Sequence, residues 1–231
     1  MDLQKKNKIT KYVVSSAMVV NALAAPAAVF AATDKPAQSA AEAAAKELIA
    51  KGILTGDETG ALNLEGSLTR IQVAAILARA LNLNADSKTA SFSDVSSDSW
   101  GLKYIAALDK LGIMSGADGK FRPNDVTTRE ELAAILVRVT QTNIEGKGNN
   151  LTISDANQVS DWAKAYVQAA IEQKLISVTN GKFEPQKKVD RQEVALVTDT
   201  FIKSSSFATY KTNVNTLFNE GKKISNSDPS V

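Results

Sequence analysis

An arginine set beside a helix-start pattern recurs three times in this chain, at Arg70, Arg129 and Arg191, with spacings of 59 and 62 residues. Recurrence at such a period predicts like units that bury their apolar faces only by packing on one another. The alignment rests on several landmarks. Leu68-Thr69-Arg70 matches Val126-Thr127-Thr128-Arg129-Glu130-Glu131 and Val189-Asp190-Arg191-Gln192-Glu193. Upstream, Gly119-Lys120-Phe121-Arg122-Pro123 matches Gly181-Lys182-Phe183-Glu184-Pro185, and Leu62, Phe121 and Phe183 each stand seven residues before the residue that precedes the arginine. Phe92-Ser93-Asp94-Val95 with Trp100 is echoed by Ile153-Ser154-Asp155-Ala156 with Trp162.

Each unit reads as helix, loop, helix, and the chain as all-α. In the second unit Tyr104, Ile105, Leu108, Leu111 and Ile113 follow Trp100 at roughly helical spacing, and Gly112 suits a left-handed helix stop. The helices that start at the arginines are apolar on most of their circumference, which predicts burial on several sides and one shared bundle of three. Residues 82–91 and 142–152 read as polar connectors. The expected organisation is a leader at 1–31, units at 32–83, 90–141 and 152–202, and a polar segment at 203–231. That last segment is expected to hold a short amphipathic helix around Tyr210 to Phe218 and ten disordered residues at its end.

The leader reads as an export signal, because Lys5, Lys6, Lys8 and Lys11 precede an apolar run that ends in small residues, with cleavage after Ala31. A retained membrane anchor is the alternative, but Asn21 and Pro26 break the run below the roughly 20 residues a spanning helix needs. Cleavage removes four of the 27 basic and one of the 25 acidic side chains, leaving 23 and 24. The nearly neutral remainder makes no general electrostatic case for nucleic acid. With neither cysteine nor histidine in the chain, disulfides, thiolate chemistry, Ser-His-Asp triads and HExxH metal sites are excluded. An enzyme would need two carboxylates about 5 to 9.5 Å apart, and no acidic pair stands out. Ala117-Asp118-Gly119-Lys120 lacks the other acidic positions of a calcium loop. No enzyme, cofactor or metal site is expected.

Thr69 with Gln72, Thr128 with Glu131, and Asp190 with Glu193 fit the capping-box pattern, which sets each arginine at the first helical position. A cation there opposes the helix dipole at a cost of about 0.3–1 kcal/mol when exposed. An anion held between guanidinium and helix start would reverse that sign. Alternatively the arginine bonds a neighbouring unit's carboxylate, with Asp94 or Asp155 as the partner. Asp94 also suits a turn or cap. Trp100 and Trp162 offer rings for stacking on a sugar or for the core. Gly112 and Gly116 serve backbone geometry or admit a ligand closely.

The combined pattern of FxDV, tryptophan, xGxFxP and a TRxE helix start resembles the S-layer homology family over residues 41–202. The resemblance implies a pseudo-threefold spindle around a central three-helix bundle, with ligand grooves between units. It further implies a secreted protein of the cell wall or S-layer that binds a secondary cell-wall polysaccharide bearing pyruvylated amino sugar. On that reading Arg70, Arg129 and Arg191 meet the acidic group, Asp94 and Asp155 bond sugar hydroxyls or orient the arginines, and Trp100, Gly112 and Gly116 line the groove. Other S-layer subunits are further expected partners, and the membrane is not one after cleavage. Unit one lacks FxDV and tryptophan and ends in Ile71-Gln72, while unit three has Asp190, Lys174 and Val178 where unit two has Thr128, Gly112 and Gly116. The groove of Arg129 is therefore the expected site. A lattice or partner-assembly module without glycan binding is the competing function.

Overall fold

The structure, a computed structural model, describes residues 34–56, 59–87, 89 and 91–224. The expected leader and its cleavage site lie outside these residues, as do 225–231. The described residues are helical as expected: α1 Asp34–Ala50, α2 Arg70–Leu81, α3 Leu102–Lys110, α4 Arg129–Thr140, α5 Lys164–Glu172, α6 Arg191–Lys203 and α7 Phe207–Glu220. Among them, β-pairing is confined to isolated bridges.

Each arginine begins its helix. Thr69 donates its N–H to the Gln72 side chain at 2.9 Å and Thr128 donates to Glu131 at 2.8 Å, the backward half of a capping box. Asp190 caps α6 through Oδ1, which accepts the Glu193 N–H at 2.7 Å. Glu193 makes no return bond of that kind: its Oε1 meets Arg129, and its Oε2 is buried without a hydrogen-bond partner.

The units are joined in a ring. Helix α2 packs on α3 of the next unit, α4 on α5, and α6 on α1, so every arginine-led helix meets the first helix of its successor. The backbone repeats this order. Arg70 N donates to Asp125 O, Arg129 N to Lys187 O and Arg191 N to Gly66 O, each at 2.9 Å. The bridges Thr69 to Val126, Thr128 to Lys188 and Ser67 to Asp190 run the same way. Every unit is thus tied to its successor through both helices and backbone. The burial differs between units: every residue of α4 except Glu131 is buried, whereas α6 buries only Arg191, Val194, Ala195, Thr198 and Phe201.

Helix α7 is longer than the sequence suggests and touches α2, α4 and α6. Val214 is fully buried, Asn215 donates to Leu81 O at 2.9 Å, and Phe201 stacks on Tyr210. Beyond it Ile224, expected within a disordered end, is buried and donates its N–H to Leu111 O. One branched apolar side chain is enough to draw that segment onto the core, at about 1.5–3 kcal/mol for full burial.

Candidate functional site

The loops before the arginines are built from backbone that non-glycine residues rarely adopt. Asn63, Arg122 and Glu184 occupy equivalent positions and all have positive φ, at 44°, 59° and 56°. In units two and three an aspartate holds this turn. Asp94 accepts the N–H groups of Phe121 and Arg122, both at 2.8 Å, and Asp155 accepts those of Phe183 and Glu184 at 3.0 and 2.7 Å. Partial burial works against their charge, but the paired backbone donors outweigh it and keep both carboxyls below the ordinary aspartate value. Unit one has no such aspartate, and there asparagine, which tolerates the left-handed region, stands at the turn. Asp94 and Asp155 are thus placed as loop staples rather than as partners of the arginines.

Gly116 is required by close packing. A Cβ there would come within 2.2 Å of Lys120 O and 2.6 Å of the Phe92 ring. Gly112 has φ of 70° just past the end of α3, the left-handed helix stop the sequence suggests. Lys174 adopts the same conformation at φ 55° in unit three.

The arginines reach into the next unit's loop. Arg70, 1% exposed, donates Nε to Phe121 O at 2.9 Å, Nη2 to Ser115 O at 2.9 Å and Nη1 to Glu131 at 3.2 Å. Arg129 repeats the pattern, with Nε to Phe183 O at 2.7 Å, Nη2 to Ser177 O at 2.7 Å and Nη1 to Glu193. Each guanidinium also lies about 5 Å from the ring of the phenylalanine whose carbonyl it bonds. Burial pushes both below the usual arginine range; Glu131 opposes that at Arg70, and Glu184, Asp155 and Asp190 oppose it at Arg129. Arg191 bonds Leu62 O and Thr55 O in the same way.

The acid that meets Arg70 and Arg129 is therefore the capping-box acid of the following unit, not Asp94 or Asp155. Position three of the helix serves two elements at once: one oxygen of Glu131 holds Thr128 while the other holds Arg70. The corresponding residue in unit one is Gln72, which carries no charge. Beside it opens a groove of about 310 Å³, lined by Thr55, Gly56, Gln72, Arg79, Trp100 and Arg191 among others. Trp100 is 57% exposed, although its aromatic edge rests on Tyr104. Arg79 donates to the Tyr104 hydroxyl at 3.2 Å and lies over its ring.

The matching residues of unit two are withdrawn. Arg138 is 0% exposed, reaches Ile113 O and the Tyr166 hydroxyl, and lies over the Tyr166 ring, while Trp162 is partly buried. Arg129, on which the expected groove was centred, lies inside the protein, where Phe183 O, Ser177 O and Glu193 meet the donors that burial would otherwise leave without water. Arg79 was missed in the sequence. Its signal was available, since Arg79 and Arg138 both stand nine residues after the helix-start arginine and Thr200 holds that place in α6.

Comparison with known proteins bears on this architecture. The S-layer homology domain model matches residues 91–133 and 152–195, the second and third units. The chain is 33% identical over 204 residues to the surface-layer 125 kDa protein of Lysinibacillus sphaericus, covering 84% of this chain and 17% of that protein. It is 32% identical over 189 residues to S-layer protein EA1 of Bacillus anthracis, covering 78% and 22%. The amylopullulanase of Thermoanaerobacterium thermosulfurigenes is 34% identical over 135 residues, 57% of this chain but 7% of the enzyme. The chain thus spans less than a quarter of the length of these relatives. With repeats matched by the family and a ring of arginine-led helices joining them, the chain belongs to the S-layer homology domain family.

Proposed function

We propose that this chain fastens a surface protein to the cell wall, by non-covalent binding of an anionic secondary cell-wall polysaccharide in the groove beside Arg191 and Trp100. The family places it as a secreted protein of the cell wall and S-layer. On this reading the three units form a pseudo-threefold spindle, and the acid on the glycan is the ketal carboxylate of a pyruvylated amino sugar. The observation that carries the reading is the groove itself, where partly exposed Arg79 and the one large exposed ring among the described residues stand together over a lining that includes buried Arg191. Guanidinium groups grip a carboxylate with directed hydrogen bonds, and an indole face suits the apolar face of a sugar.

The role is anchoring rather than catalysis. Similarity to an amylopullulanase over a small share of that enzyme fits a module that accompanies a catalytic domain. Lattice assembly with other S-layer subunits is the second reading, favoured by the similarity to S-layer proteins. Sedimentation with purified walls separates the two. The purified protein should pellet with native walls and stay soluble with walls from which pyruvate has been removed. Self-assembly with no wall dependence would overturn the anchoring reading.

A further inference from the structure

A second cavity is linked to the groove through side chains that meet at the Tyr104 ring. It measures about 440 Å³ and is lined by Asp86, Ser87, Lys103, Lys110 and Phe218 among others, so that the first connector, α3 and α7 build it together. Tyr104 is touched from both spaces. Arg79 lies 5.0 Å from its ring centre and Trp100 lies 6.5 Å from it, and both line the groove. Lys103 Nζ is also 5.0 Å from the ring centre and lines the second cavity. Lys110 stands seven residues further along α3, on the same face and about 10.5 Å down the helix axis. Its ammonium sits 4.3 Å over the Phe218 ring. Tyr104 and α3 thus connect Arg79 and Trp100 of the groove with Lys103 and Lys110 of the second cavity.

We infer that the glycan site extends beyond one acidic sugar, from the groove across Tyr104 and Lys103 into the cavity at Lys110 and Phe218, and so takes a stretch of polymer. The inference rests on the proposed anchoring function. The chemistry of the two ends differs accordingly. The groove supplies the Arg79 guanidinium for the acidic substituent, with Arg191 buried in its lining. The second cavity balances Lys103 and Lys110 against Asp86 and Asp109, a set of donors and acceptors suited to hydroxyl groups of neutral or weakly charged residues, with Phe218 as an apolar wall. Helix α7 contributes Phe218 to the lining.

The test is calorimetry of the purified protein against pyruvylated secondary cell-wall polysaccharide cut to one, two and four repeats. Affinity should rise about ten-fold between one and four repeats. The exposed-site variant Lys110→Glu should lose that gain while binding the single repeat as before. Lys120→Glu, an equal charge change on an exposed loop away from both cavities, should keep the gain. Equal affinity at all lengths, or equal losses in the two variants, would overturn the extended site while leaving anchoring in place. No binding of any fragment by the unaltered protein would overturn both.

Discussion

Units one and two carry the same helix-start arrangement, yet Gln72 borders an open groove and Glu131 closes on an arginine. Both residues cap their own helix through the same backbone N–H. They differ in what they present to the preceding unit. Glu131 pairs with Arg70 and Glu193 with Arg129. Gln72 adds no charge, although Arg191 in the same lining is buried at 8% exposure, close to the 6% of Arg129. In like units, one atom's difference at a single helix position accompanies the difference between an ion-paired joint and one that borders an open groove. The tryptophans differ too, Trp100 being exposed beside the groove and Trp162 partly buried, although each lies 6.5 Å from the tyrosine four residues on.

The largest effect expected from breaking this contrast is on stability. Arg129→Ala strips two carbonyls and Glu193 of their partner inside the protein, and should cost about 3–5 kcal/mol in urea denaturation, as removal of one side of a buried pair does. A loss of wall binding in that variant would report unfolding rather than a missing contact. Asp155→Ala removes the acceptor of two backbone donors at a left-handed turn and should cost about 1–3 kcal/mol. Because the Asp94 and Asp155 carboxyls are depressed in the fold, the stability they contribute is present above the unfolded value of about 3.9 and is lost as pH falls below it. A urea series between pH 6 and pH 2.5 should show that loss, and Asp155→Asn should flatten it.

Smaller effects fall on the open side. Trp100→Ala should weaken polysaccharide binding about ten-fold, the scale of a single hot-spot ring, and leave unfolding within about 0.5 kcal/mol of the unaltered protein, as exposed positions do. Gln72→Glu sharpens the comparison most narrowly. It places a carboxylate where Glu131 and Glu193 stand, and should weaken binding of an acidic glycan by a few-fold, more at low salt than at high. Unchanged affinity would mean that charge at this position does not govern the groove.

The helices and their starts were legible in the sequence because their signals are local, whereas the pairing of α2 with α3, α4 with α5 and α6 with α1 was not, the sequence having suggested one bundle of the three arginine-led helices. Repeat spacing, capping residues and apolar runs each belong to a short segment, and the arginines stand at the helix starts where the pattern puts them. Their partners were not legible. The sequence offered Asp94 and Asp155, whereas the folded chain gives those carboxylates to turn N–H groups and hands the arginines to Glu131 and Glu193. A carboxylate has two oxygens, so a residue already explained by its own helix can serve a second unit about sixty positions away. Trp100 and Trp162 share one motif, and only the packing around them decides which is exposed. Ile224 escaped for a similar reason, since a lone apolar residue in a polar tail shows no period.

The two tryptophans are the chain's whole complement and mark the open groove and its closed counterpart, so their indole N–H signals read both at once. Titrating the isotopically labelled protein with pyruvylated wall polysaccharide, with Trp162→Phe to assign the peaks, should shift the Trp100 signal in proportion to binding and leave Trp162 in place. A shift at Trp162 with Trp100 unmoved would contradict binding in the Gln72 groove.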